Sequence, residues 1–342
     1  EATIAIGARS AIFAPLTNLG AIIIDEEHDS SYKSESNPRY DTHSVAIYRA
    51  KQNGCPVVLG SATPTVESFY KAQTGEYNLI TLTKRVNNLP MPPINIVDMT
   101  REFRSGNSSI FSGELIDNLS NTINAGEQAI LFLNRRGFSS FLMCKECGYV
   151  ATCSDCDVSL VYHKEDNMLK CHYCGKRYKV LTKCPNCGNL HLKLGNTGTE
   201  RVVNELKQYF PNTTILRMDN DTITTKDSYA KILTEFEKHK PSILVGTQMI
   251  AKGHDFPYVT LVGILDADLS LFFCDFMATE KTFQLITQVA GRAGRAENKG
   301  KVVLQTFFPK HYVYNLCLNY DYKRFYDKEI NLRETTSFPP FS

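Results

Sequence analysis

Short apolar runs rich in β-branched residues recur along the chain, each closing on or beside a small, acidic or hydroxyl residue. Thr3–Ile6, Ala21–Asp25 and Pro56–Gly60 come first, and Ala129–Asn134, Thr214–Met218, Ser242–Gly246, Val259–Leu265 and Lys301–Thr306 follow. Runs of four to eight apolar residues without alternation predict strands buried on both faces, which is the pattern of parallel sheets covered by helices. An amphipathic helix is predicted from Gly198 through Tyr209, and another around Gln288. Residues 86–100, with Pro90, Pro92 and Pro93, break the periodicity and read as a linker, with a second α/β unit starting near Ile94. From Tyr320 the charge rises, which suggests the opening of a further domain.

One segment follows neither pattern. Cys144/Cys147, Cys153/Cys156, Cys171/Cys174 and Cys184/Cys187 form four C-x-x-C pairs and take eight of the 11 cysteines. Two thiolates separated by two residues fit a turn that aims both sulfurs at one metal, and eight such sulfurs make two tetrahedral zinc sites. Three pairings are possible. The inner pairs are separated by Asp157 to Lys170, room for a hairpin, whereas the first two pairs stand too close for one. The nested pairing is therefore expected: Cys144, Cys147, Cys184 and Cys187 on one Zn²⁺, and Cys153, Cys156, Cys171 and Cys174 on the other. Disulfides or redox dithiols are the competing readings. His163 and His172 are surplus to two four-sulfur sites and read as surface residues. Strand-like runs flank the segment on both sides, so it reads as an insertion.

Composition changes the picture little. With 342 residues the chain has room for two or three domains, and 42% hydrophobic and 22% charged residues are ordinary for a globular protein. A net charge of +2 neither demands nor forbids nucleic acid, so any such contact rests on local clusters. No apolar run approaches the length of a bilayer span. Cysteines at metal spacing lead us to expect a cytoplasmic protein without a membrane partner.

Candidate chemistry sits at strand ends. Asp25-Glu26-Glu27-His28 follows one predicted strand; adjacent carboxylates there suit holding Mg²⁺ and orienting a water for phosphoryl transfer. Gly60-Ser61-Ala62-Thr63-Pro64 follows the next and offers hydroxyls toward that motif, although it serves equally well as a helix cap. Between them, Tyr32, Lys33, Arg39 and Tyr40 interleave aromatic and basic side chains, suited to stacking on bases and meeting phosphates. Gly246 to Phe256 presents amides and hydroxyls after another strand, and Gln288 to Arg295 carries two arginines beside glycines, suited to the spread charge of a transferring phosphoryl group. The phosphate loop G-x-x-x-x-G-K-[ST] is absent from these residues.

Taken together and in this order, D-E-E-H, S-A-T, G-T-Q-M-x-A-K-G-H-D-F and Q-V-A-G-R-A-G-R resemble the motifs of superfamily 2 helicases. With the eight-cysteine insertion, Gly7-Ala8-Arg9-Ser10-Ala11, Phe132 to Gly137 and Gly198-Thr199-Glu200-Arg201, the chain resembles the primosomal replication-restart DNA helicases, the PriA family. The resemblance implies an α/β fold of two RecA-like parallel-sheet lobes, the first partial, with a double zinc-binding insertion in the second. Its expected boundaries are 1–88 for the first lobe, 89–142 and 190–320 for the second, 143–189 for the insertion and 321–342 for the start of a truncated C-terminal domain. It implies an ATP-dependent 3′→5′ helicase that remodels stalled or abandoned forks and promotes primosome assembly and reloading of the replicative helicase. Asp25, Glu26, Gln288, Arg292 and Arg295 then serve catalysis, and Glu27, His28, Ser61 and Thr63 couple it to DNA. Asp255 and Gly253 contact the nucleotide. Arg9, Ser10, Tyr32, Lys33, Arg39, Tyr40, Arg135, Arg136, Thr247, Gln248 and Lys252 contact DNA. The implied cofactors are two Zn²⁺ and ATP with Mg²⁺, the latter needing the phosphate loop, without which this piece is expected not to hydrolyse ATP. The implied partners are single-stranded and forked DNA, single-stranded DNA-binding protein and other primosome and helicase-loading proteins, acting on a monomer. A zinc-bearing platform for DNA or primosome proteins, without catalysis, is the alternative.

Overall fold

Six parallel strands organise the larger part of the computed structural model, which describes residues 3–82, 90–134, 140–194, 197–219, 221–223, 226–251, 256–273, 275–294 and 299–342. The chain divides into two units, Glu1–Thr81 with Tyr326–Ser342, and Leu82–Phe325.

In the first unit, β1 (Ile22–Ile24) pairs in parallel with β2 (Val57–Leu59), and α1 (Thr42–Asn53) provides the crossover between them. Ile22 and Ile24 point into a small core with Ile12, Ala46 and Ala50. The helix α2 (Val66–Gln73) follows β2, capped by the Thr65 side chain accepting from Ser68 N. Thr3–Ile6 is not a strand. Its apolar character suggests one, but no described strand lies beside it, and Ile4 and Ile6 remain 76% and 96% exposed. A strand needs a neighbour to satisfy its ladder.

In the second unit the chain runs through β3 (Ile94–Asp98), α3 (Met99–Arg104), α4 (Gly113–Asn124) and β4 (Gln128–Leu133). After an inserted segment come α5 (Thr199–Tyr209), β10 (Thr214–Met218), α6 (Lys226–Lys238), β11 (Ser242–Gly246), α7 (Gln248–Ala251), β12 (Val259–Leu265), α8 (Ala278–Ala290), β13 (Lys301–Thr306), α9 (Tyr312–Leu318) and α10 (Tyr322–Thr336). Sheet order is β10-β11-β4-β12-β13-β3. The three central strands β11, β4 and β12 are buried at every position, which is why their sequences run apolar without alternation. Leu115 and Leu119 of α4 and Val202 and Leu206 of α5 cover one face of the sheet. The linker reading of 86–100 is corrected over its last residues: Ile94–Asp98 is an edge strand paired with β13. Prolines precede it because an edge tolerates them; Pro93 still accepts from Val302 N through its carbonyl, at 3.0 Å. Residues 321–342 contain the whole of α10 and a short tail; α10 starts in the second unit, and from Tyr326 the chain groups with the first.

The inserted segment is an antiparallel sheet in the order β8-β7-β6-β5-β9, made of β5 (Ser140–Cys144), β6 (Val161–His163), β7 (Met168–Lys170), β8 (Arg177–Lys179) and β9 (Leu192–Leu194). The β6–β7 hairpin occupies the stretch between the inner cysteine pairs. Among the described residues no helix is long and apolar enough to cross a membrane.

Candidate zinc centres and nucleotide motifs

The eight cysteine sulfurs form two groups, Cys144/Cys147/Cys184/Cys187 and Cys153/Cys156/Cys171/Cys174, with the sulfurs of each group within 4.8 Å of one another. This is the nested arrangement. Sulfur pairs Cys144–Cys187, Cys147–Cys184 and Cys153–Cys174 lie 3.7, 3.6 and 3.7 Å apart. Four sulfurs at about 2.3 Å from a central ion stand about 3.8 Å apart in a tetrahedron, so each group fits one Zn²⁺.

All four C-x-x-C turns are built alike. In each, the residue after the second cysteine donates its amide to the first cysteine's carbonyl: Gly148 to Cys144, Asp157 to Cys153, Gly175 to Cys171 and Gly188 to Cys184, at 2.8–3.0 Å. The same four residues have φ of 76°, 53°, 75° and 72°, the left-handed region, and three of them are glycine. That glycine was a legible signal, C-x-x-C-G, beyond the cysteine spacing. Tyr178 OH, 3.2 Å from Cys153 Sγ, gives one sulfur a hydrogen-bond partner outside its own site.

The insertion is seated on the parallel sheet's carboxyl end. Phe141, Met143 and Val150 pack against Leu269, Phe272, Phe307 and Phe308. Lys193 on β9 reaches Asp266, just past β12, at 2.7 Å, and Ser159 Oγ donates to Phe272 O at 2.6 Å. Burial works to raise the Asp266 carboxyl, but Lys193 and Thr197 outweigh it and hold it below the usual range. Two residues on, burial raises Asp268 to about 6 despite hydrogen bonds from Thr306, Phe307 N and Tyr314 OH. Sequence reading passed over these aspartates, although D-A-D at a strand end carries the same signal as the acidic motif.

In the first unit, Asp25 lies exposed past β1 and accepts from Glu26 N at 2.9 Å. Glu26 is half-buried at φ 47°. His28 Nδ1 and Ser61 Oγ are 2.7 Å apart, and Ser61 Oγ also accepts from Thr63 N at 3.0 Å, so the D-E-E-H and S-A-T segments touch. Thr63 is buried. Glu27, 2% exposed, turns away from Asp25's side: its carboxylate accepts from Thr65 N at 2.6 Å and Ser68 Oγ at 3.0 Å, at the start of α2.

The loop after the acidic motif is tied down. Tyr32 OH donates to Asp25 O at 2.7 Å, Tyr40 packs edge-on against Phe13, and Arg9 donates to the Ser31 and Lys33 carbonyls, both at 3.2 Å. Lys33, Arg39 and Ser10 are exposed.

In the second unit, Thr247 is buried beyond β11, Gln248 opens α7 and Gln288 lies half-buried on α8. Arg292, 6% exposed, donates to the Ala251 carbonyl at the end of α7. Arg135, Arg136, Lys252, Gly253, Asp255 and Arg295 lie outside the described residues.

Comparison with known proteins agrees with the motif resemblance. Residues 153–179 match the family model described as the PriA DNA helicase Cys-rich region (CRR) domain. Replication restart protein PriA of Bacillus subtilis is 54% identical over 341 residues, 100% of this chain and 42% of that protein. The Haemophilus influenzae protein of that name is 41% identical, covering 100% of this chain and 46% of its own length. The chain is thus similar from end to end to replication restart proteins, and spans about half their length or less. Among solved structures, RecG bound to a three-way DNA junction is 14% identical, covering 91% of this chain and 29% of that one with a TM-score of 0.45, too distant to argue from.

Proposed function

We propose that this sequence is the motor portion of a replication restart protein: an ATP-dependent DNA helicase moving 3′ to 5′ that remodels stalled forks and promotes reloading of the replicative helicase. The observation that carries the reading is the 2.7 Å contact between His28 and Ser61, which joins the strand-end carboxylates to a second hydroxyl-bearing turn. In this reading Asp25 would hold Mg²⁺ of bound ATP and Glu26 would orient the attacking water, so that a change at the nucleotide passes through His28 to Ser61 and Thr63. ATP and Mg²⁺ supply the phosphoryl group and its charge neutralisation. Arg292, whose guanidinium donates to the Ala251 carbonyl, would supply positive charge to the transferring phosphoryl group. Gln288 and Arg295 complete that set. Thr247, Gln248 and the exposed Lys33 and Arg39 meet DNA.

The chain lacks the phosphate loop, so by itself it is expected to hydrolyse no ATP. Turnover should be measured, with and without single-stranded DNA or RNA, for these 342 residues and for the same sequence carried in a chain that includes a G-x-x-x-x-G-K-[ST] loop. DNA-stimulated hydrolysis in the longer chain alone is the expected result; hydrolysis by the shorter one, or stimulation by RNA only, overturns the reading. A second role rests on β8, whose Arg177 and Lys179 are exposed at the edge of the zinc-bearing sheet, a surface for DNA or primosome proteins.

A further inference from the structure

Glu27 is a carboxylate buried to 2% exposure whose neighbours define a second layer behind the acidic motif. On one side it holds the first turn of α2 through Thr65 N and Ser68 Oγ. Its own amide donates to Gly60 O at 3.0 Å, directly before the S-A-T turn. On the other side His43 Nε2 stands 3.6 Å from Glu27 Oε2, while His43 Nδ1 stands 3.5 Å from Asp41 Oδ1. His43 Nε2 is buried and makes no close hydrogen bond, and Glu27 faces the ring with its carboxylate and its backbone. Tyr32, the residue whose phenol donates to Asp25 O, packs edge-on against the His43 ring at 5.6 Å. The imidazole therefore sits between both carboxylates and against the tyrosine that touches the acidic motif.

We propose that His43 is a positioning residue: oriented by Asp41, its ring pins the Glu27 carboxylate, and through Glu27 it keeps α2 and the S-A-T turn registered against Asp25 to His28. The functional part of this inference rests on reading that motif as the ATP site. A buried carboxylate needs either a positive partner or a full set of donors. Glu27 has the donors of α2 on one side, and His43 supplies positive charge on the other when protonated. The groups facing His43 are Asp41 from the preceding turn, Glu27 from the acidic loop and the Tyr32 ring; Lys33 acts on Asp41. Burial disfavours the charged ring, but Asp41 and Glu27 together outweigh it and leave His43 above its ordinary value, while the hydrogen bond with His43 helps hold Asp41 at about 2. Since the folded value lies above the unfolded one of about 6.5, the clamp is complete below that pH and is lost as pH rises through the folded value.

The test uses the whole 342-residue chain with selectively labelled histidines, followed by NMR from pH 5 to 9. The His43 signal, assigned by its loss in His43→Gln, is expected to titrate above 6.5 and to move down in both Glu27→Gln and Asp41→Asn, the latter keeping a capping side chain for α1. The His28 signal is expected to show an inflection at the His43 value that disappears in His43→Gln, a response a purely structural histidine would not give. If His43 titrates at or below 6.5, if neither carboxylate variant moves it, or if His28 ignores it, the proposal is overturned. None of these readouts requires nucleotide, so they stand or fall separately from the ATPase measurement.

Discussion

Gly148 and Gly188 occupy equivalent places in the two turns that hold one Zn²⁺, yet their surroundings differ. Their φ angles are 76° and 72°, so an alanine at either pays the same left-handed penalty, about 1–2 kcal/mol. A Cβ at Gly188 would meet nothing within 4 Å, whereas one at Gly148 would stand 3.0 Å from the Phe307 carbonyl at the end of β13. A backbone carbonyl in a sheet end cannot swing aside as a side chain does, so overpacking there adds about 1–3 kcal/mol. Because metal affinity in a module of this size is folding free energy, both costs appear in the zinc affinity of the Cys144/Cys147/Cys184/Cys187 site. Gly188→Ala should weaken it by about 5- to 30-fold and Gly148→Ala by at least a further ~5-fold, at about 1.4 kcal/mol per decade. Competition against a chelator of known affinity measures both. Equal losses in the two variants would show that the insertion is not seated against β13, and the argument for its docking would fail.

Asp157 holds the same position as these glycines at φ 53°, so Asp157→Gly should strengthen zinc binding at the other site by up to ~10-fold in the same competition assay. Chelation should release two Zn²⁺ per chain and open the amides of the insertion to hydrogen exchange, while β4, β11 and β12 stay protected because none of the eight ligand cysteines belongs to the described core that covers them. Lys193→Met leaves the half-buried Asp266 without its cation, though still accepting from Thr197 N, and should destabilise the chain by about 1.5–3 kcal/mol in urea titration; the carboxylate's own contribution is present above about pH 4 and fades as pH falls through its depressed folded value. Asp268 behaves oppositely: raised to about 6, it contributes stability that is complete below about 4 and is lost as pH rises through 6, and Asp268→Asn should abolish that slope in urea midpoints taken between pH 4 and 7.

The strands β10, β11, β12 and β13 have the bounds their apolar runs predict; for β11 and β12 the reason is burial on both faces, which leaves an unbroken run in the sequence, whereas the edge strand β10 is half-buried. The cysteine spacing likewise limits the ways eight thiolates can share two ions, since each pair lies within one turn. Other features depend on which segments become neighbours. Thr3–Ile6 has the composition of a strand and no described strand to pair with, and Ile94–Asp98 looks like the end of a linker until β13 pairs with it. Glu27 reads as one more carboxylate of the acidic motif; folding carries Thr65 and Ser68 to it, and it becomes the anchor of a helix. His43 has Asp41 two residues before it in the sequence, but acquires its role from Glu27, which the fold places on the other side of its ring. Local pattern thus specifies what each segment can become, and long-range contacts specify the partner each buried polar group meets, because the cost of leaving such a group unpaired is settled only once the chain has closed around it.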